Sequence, residues 1–272
     1  MRIFMTGATG YIGSEVAAVL RDRGHEVAAL VRPSSDDGAL RQRGVFIIAG
    51  DVSALGDVPL NEYDVLIQAA DPAKTDKPVI DAFTASNAFT IYTSGVWILG
   101  NGSSDEDSKV NPLPIVAWRP PHEEQVLKTG RGAVLRAGCV YGGKQSLLAP
   151  WFAAAEQKEP LKIVGDGNNS WALVDVHDLA DCYARIVEQR ATGIFHGVDE
   201  SHSTLNENAR AVAPDGRIEH VPSDNGAFAQ ALTANQNVSS KKTQRTLGWK
   251  PQRTFIGSID EQWREWRSAQ KA

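Results

Sequence analysis

The chain is 272 residues long, 42% hydrophobic and 22% charged, an ordinary globular composition that excludes collagen-like, coiled-coil and disordered readings. Its 28 lysines and arginines against 33 aspartates and glutamates give a formal net charge of −5, so the basic surface that nucleic-acid binding demands is not expected. No apolar run is long enough to span a bilayer and no signal-peptide layout precedes the first strand, so the expectation is a cytoplasmic protein with no membrane partner.

In chain order, apolar runs predict strands at Arg2–Met5, Glu26–Val31, Val45–Ile48, Val65–Ala69, Phe89–Tyr92, Ala133–Leu135 and Ile194–Val198. Helical patterns lie between and beside them at Ile12–Arg23, Asp36–Arg43, Lys77–Ser86, Pro121–Thr129, Ser146–Gln157 and Asp178–Gln189. Strand and helix in alternation specify an α/β fold, a doubly wound parallel sheet of the Rossmann type whose ligands sit at the carboxyl ends of the strands. The alternation fades beyond residue 202 and resumes as one helix, Ser258–Arg267, with Ile259, Trp263 and Trp266 on one face. The expected division is a nucleotide-binding domain over 1–143, rejoined by 172–198, with a smaller substrate lobe from 144–171 and 199–272. Cys139 and Cys182 are too few for a disulfide framework and, flanked by apolar residues, read as core.

After the first strand comes Thr6-Gly7-Ala8-Thr9-Gly10-Tyr11-Ile12-Gly13, which opens an amphipathic helix. Gly7 suits a tight turn, Gly10 lets backbone approach a pyrophosphate, Gly13 allows close helix packing, and the helix N-terminus supplies amides and a positive dipole end. The second strand ends in Val31-Arg32-Pro33-Ser34-Ser35, where an acidic residue would accept ribose hydroxyls of NAD. Arg32 instead offers a guanidinium to a 2′-phosphate, which favours NADP over NAD. Asp36 and Asp37 weigh against this unless they serve the following helix. Asp51 and Val52, after the third strand, suit the adenine edge.

On these stretches, together with Gln68-Ala69-Ala70, Tyr92-Thr93-Ser94-Gly95, RAGCVYGG over 136–143, VDVHDLA over 174–180 and LGWKP over 247–251, the chain resembles the extended short-chain dehydrogenases/reductases, which include epimerases and dehydratases. The resemblance implies cofactor contacts from Gly7, Thr9, Gly10, Tyr11, Ile12, Gly13, Arg32, Asp51, Val52, Ala69 and Ala70, and a homodimer. It also implies a serine after the fifth strand and a Tyr-x-x-x-Lys pair on the next helix. Here Gly95 takes the serine's place beside Ser94, and no tyrosine occurs between Gly100 and Arg136. Trp118 and His122 keep the spacing, but Pro120 and Pro121 start the helix after Trp118, and an indole is no general acid.

Three readings follow. The first is an NADP-dependent oxidoreductase that transfers hydride to a carbonyl or imine-like small molecule, with Ser94, His122 or Tyr141 orienting or protonating substrate; imidazole's unperturbed pKa of about 6.5 suits that task. Glu123 and Glu124 read as first-turn carboxylates favoured by the helix dipole, and Trp97 and Trp118 as core or pocket walls. The second reading is a catalytically silent NADP-binding sensor or scaffold. The third is a nucleotide-sugar epimerase or dehydratase, for which no distinct diphosphate-binding cluster is visible. His177 and Asp178 read as structural, with Asp178 near a helix N-cap.

Overall fold

The computed structural model describes residues 1–270 apart from 71, 144 and 225. All seven predicted strands form one parallel sheet: β1 (Arg2–Thr6), β2 (Glu26–Val31), β3 (Phe46–Ala49), β4 (Val65–Gln68), β5 (Phe89–Gly95), β6 (Gly132–Ala137) and β7 (Gly193–Gly197). Their spatial order is β7-β6-β5-β4-β1-β2-β3. From β1 the chain winds outward to β3, then returns to the other side of β1 as β4, so the strand order reverses between them. The register sets Thr6 opposite both Leu30 and Gln68, and Gln68 opposite Tyr92. The carboxyl ends of β1, β4 and β5 therefore stand side by side at the crevice where open α/β sheets bind ligands.

The strands form because β1, β2, β4 and β6 are almost wholly buried, as parallel strands covered on both faces must be. Phe4, Leu30, Leu55, Leu66 and Phe83 pack into one core cluster, and Ile80, Tyr92, Val126 and Val134 into another. Helix Tyr11–Asp22 follows β1, helix Pro72–Ala85 follows β4 and helix Pro120–Lys128 precedes β6.

Contacts divide the chain into two compact units. The first comprises Met1–Ser94, Trp118–Arg136 and Ala180–Phe195, and the second Gly95–Ala117, Ala137–Leu179 and His196–Ala272. Residues 95–117, 137–143, 172–179 and 196–198, which the sequence reading groups with the nucleotide-binding domain, thus cluster with the C-terminal residues. The second unit has its own core, in which Tyr141, Trp151, Phe152, Trp171 and Phe255 are buried together. Its last helix, Ile259–Ala269, seats Trp263 at 4.9 Å and Trp266 at 6.3 Å from the Phe152 ring. Three short parallel pairs complete it: Cys139–Tyr141 with Leu173–Asp175, Leu161–Val164 with Ile218–Val221, and Gly102–Ser104 with Gln236–Val238. None of these is legible in the sequence, because three or four residues are too few to show a period. No helix among the described residues is long and apolar enough to cross a membrane.

Asp178 lies in the first turn of helix Val176–Gln189, near its N-cap as expected. The carboxylate that caps helix Val176–Gln189 is that of Asp175, which accepts from the His177 and Asp178 amides. Asp178 instead accepts from the Gln252 and Arg253 amides at 2.8 Å each and pairs with the Arg253 guanidinium at 3.1 Å. It therefore fastens the segment after LGWKP to this helix.

Candidate functional site

Within the first unit the glycine loop has the geometry of a phosphate cradle. Gly7 takes φ +81°, and a side chain there would stand 2.3 Å from the Ala69 and Ala70 backbone, so the loop is pressed onto the end of β4. At Gly13 a Cβ would fall 2.1 Å from the Gly7 carbonyl oxygen, which lets the helix pack directly on the turn. Gly10, in extended conformation, precedes the helix with no side chain capping it and no acidic residue in the first turn. Thr9 and Gly10 are exposed, and Tyr11 and Ile12 are half-buried. The positive end of the helix dipole thus lies at an exposed Thr9-Gly10 turn, where an anion is stabilised.

Arg32 follows β2 as an exposed side chain, and no carboxylate of the described residues lies within ion-pair distance of it. The acids that could have neutralised it are engaged elsewhere. Asp37 holds Arg41 through two contacts of 3.0 and 2.9 Å, and that guanidinium keeps its carboxyl below the usual range. Asp36 accepts from the Gly38 amide at 2.9 Å, serving the short helix Gly38–Gln42. Asp51 accepts from the Ser53 hydroxyl and amide, which lower its pKa with help from the Arg32 charge. Val52, half-buried, begins the 3-10 turn after it.

At the carboxyl ends of β1, β4 and β5 runs a buried polar chain that sequence reasoning missed. The Thr6 hydroxyl donates to Gln68 Oε1, Gln68 Nε2 donates to Asp76 at 2.7 Å, and the Tyr92 hydroxyl donates to the other Asp76 oxygen at 2.5 Å. Burial pushes the Asp76 carboxyl up, against the pull of these two donors and of the Arg119 and His122 charges. One residue beyond Tyr92, the Thr93 hydroxyl donates to the Gln68 carbonyl and accepts from Tyr183, each at 2.5 Å. The Thr93 carbonyl takes Arg119 Nη1 at 2.9 Å, and the Arg119 guanidinium lies 4.9 Å over the Trp118 ring.

Two of the three predicted catalytic residues stand in this unit. Ser94 is buried at the end of β5, its hydroxyl without a hydrogen-bond partner among the described residues. His122, in the first turn of helix Pro120–Lys128, is half-buried with its ring 6.2 Å from Tyr92 and 6.0 Å from Trp118. Trp118 precedes the helix, as the prolines require. Glu123, in the first turn as expected, is buried in a bidentate pair with Arg136 of β6. Glu124 is exposed and pairs with Lys128 one turn on.

Tyr141, the third, belongs to the second unit and is fully buried. Its ring packs edge-on against Phe255 at 5.3 Å and its hydroxyl donates to Asp199 at 3.2 Å. Burial holds the phenol well above its ordinary pKa and pushes the Asp199 carboxyl up to about 6. Trp97 also lies in this unit, 6.4 Å from Phe228, and His177 pairs with Glu265 at 3.1 Å. Cys139 and Cys182 are buried free thiols, as expected of core cysteines.

Comparison with known proteins agrees with this geometry. Residues 1–89 match the NmrA-like family. The chain is 29% identical over 285 residues to an uncharacterized protein of Schizosaccharomyces pombe, with 92% of this chain and 95% of that one covered. It is 27% identical to a 3-diazoavenalumate denitrifying reductase of a Streptomyces species, with 92% and 96% covered. Among solved structures, the dTDP-glucose 4,6-dehydratase of Bacillus anthracis in complex with NAD superposes with a TM-score of 0.85 at 14% identity, over 100% of this chain and 98% of that one. The glycine cradle on a 3-2-1-4-5 strand order gives the chain the fold of that dehydratase, and these likenesses are consistent with its resemblance to the extended short-chain dehydrogenases/reductases.

Proposed function

We propose that the protein is an NADP-dependent reductase that delivers hydride to a carbonyl or imine-like group of a small molecule. The observation that carries the choice of NADP is Arg32, exposed beside the end of β2 while Asp36, Asp37 and Asp51 are bonded to other partners. The residues fit a dinucleotide: Gly7, Thr9, Gly10, Tyr11, Ile12 and Gly13 at the pyrophosphate, Ala69 and Ala70 beside them, Asp51 and Val52 at the adenine, and Arg32 at the 2′-phosphate. Bound there, the cofactor supplies hydride chemistry. The reductase reading is supported by the name of the Streptomyces relative.

The chain's own contribution lies at the end of β5. Ser94, a buried hydroxyl with no partner among the described residues, is assigned the role of orienting the acceptor. His122 is assigned the proton that the acceptor's heteroatom takes up, since no Tyr-x-x-x-Lys pair is present to supply it. Tyr141 is assigned to packing, because its hydroxyl is buried and held by Asp199.

The test is NADPH consumption against a panel of ketones, aldehydes, imines and sugar nucleotides. Turnover with a carbonyl or imine is the expected result. Tight NADPH binding with no turnover across the panel would instead establish a cofactor sensor, and isomerisation of a sugar nucleotide without net NADPH loss would establish an epimerase.

A further inference from the structure

We infer that the second unit carries a binding pocket for flat aromatic molecules bearing at most one charge. An open cleft of about 510 Å³ lies between helix Ala149–Glu156 and strand Leu161–Val164, lined also by Trp171, Leu205, Phe228 and Leu232. That volume is in the range of sites for small organic ligands.

Three features define what it takes. First, both indoles in its wall have given their single donors to the backbone: Trp151 Nε1 to the Lys162 carbonyl at 2.8 Å and Trp171 Nε1 to the Leu232 carbonyl at 2.9 Å. With the two residues 6% and 4% exposed, what they offer a ligand is a narrow strip of ring, which favours edge-on aromatic contact. Second, among the described residues the charged ones lining it are Lys162 and Glu159, one of each sign. A diphosphate carries two or more negative charges and calls for several cationic or amide donors, and one lysine offset by a glutamate, the charges of the described lining, does not supply them. Third, Leu147 and Phe228, 41% and 48% exposed, stand in its lining as large apolar side chains left in water. Apolar surface of this kind beside a cavity marks a place where a ligand is received.

The ligand class is read from the pocket alone; that this ligand is the reductase's substrate rests on the function proposed above. The experiment titrates the full chain with 2-naphthol, 2-naphthalenesulfonate and uridine diphosphate by calorimetry, following tryptophan fluorescence in parallel. Both naphthalenes bind saturably at one per chain, and uridine diphosphate neither binds this site nor displaces them. Ala154→Trp, which fills the cavity, abolishes naphthol binding. Phe228→Ala, at a half-exposed position, weakens it about threefold, the loss of one aromatic contact, and NADPH affinity is unchanged in both variants. Displacement of naphthol by uridine diphosphate, non-saturable naphthol uptake, or indifference to both substitutions overturns the inference. Naphthol binding by a chain that binds no NADPH would sink the reductase reading and leave the pocket standing; NADPH-driven turnover without naphthol binding would do the reverse.

Discussion

Replacing Glu123 with alanine removes one half of a buried ion pair and tests how helix Pro120–Lys128, the carrier of His122, is held to the sheet. Arg136 Nε lies 3.1 and 3.2 Å from the two Glu123 oxygens and Nη2 lies 2.7 Å from one of them, with the two side chains 2% and 5% exposed. Without the carboxylate the guanidinium stays buried, with Nη1 already unpartnered. Breaking such a pair from one side costs about 3–5 kcal/mol, because a charge is left in a poorly solvating interior. At roughly 2–4 °C per kcal/mol for a protein of this size, Tm falls on the order of 10 °C. Replacing both partners by apolar residues of similar volume, Glu123→Leu with Arg136→Met, returns most of the loss, since no charge then remains to be desolvated. The assay is thermal unfolding of the parent, Glu123→Ala and the double variant. A single variant within about 1 kcal/mol of the parent, or a double variant no better than Glu123→Ala, would refute the reasoning.

Three further outcomes follow from the geometry. Gly13→Ala drives a methyl group into the Gly7 carbonyl at 2.1 Å; it lowers stability by about 1–3 kcal/mol and weakens NADPH binding, measured by melting and by cofactor fluorescence. Asp199, with its folded pKa raised from 3.8 to about 6 by burial, binds its proton more tightly folded than unfolded, so its contribution to stability declines as pH rises from about 4 to about 6. The decline is about 3 kcal/mol, and urea unfolding at pH 4 and pH 7 will show Asp199→Asn losing that dependence; an unchanged slope rules the carboxyl out as its source. His122→Gln, if His122 donates the proton, lowers single-turnover reduction by about 10²–10⁴-fold while leaving NADPH affinity intact, whereas a parallel loss of both would make it a folding residue.

The sheet was readable because parallel strands buried on both faces are short continuous apolar runs, and Arg2–Thr6, Val65–Gln68 and Gly132–Ala137 are such runs. Boundaries were less so: helix Pro72–Ala85 begins five residues before Lys77 and runs through Pro78, which propensity alone would place at a helix start. The glycine cradle was legible because its chemistry is local, with spacing, strand and helix all in one stretch. Asp76 was not, since its partners Gln68 and Tyr92 are 8 and 16 residues away and meet it only when β4 and β5 align. Glu123 was read as a dipole-favoured carboxylate for the same reason, its true partner being 13 residues on in a strand. Pairings made across the sheet have no period for a sequence to carry.

The central claim is that this crevice binds NADP through Arg32. Equilibrium titration of the parent and of Arg32→Ala with NADPH and NADH, at one ionic strength, tests it most directly. One charge-assisted contact to a phosphate is worth about 1.5–3 kcal/mol, so the parent should bind NADPH roughly 10–150-fold more tightly than NADH, and Arg32→Ala should erase that preference without weakening NADH. Equal affinities in the parent, or an equal loss for both cofactors in the variant, would contradict it.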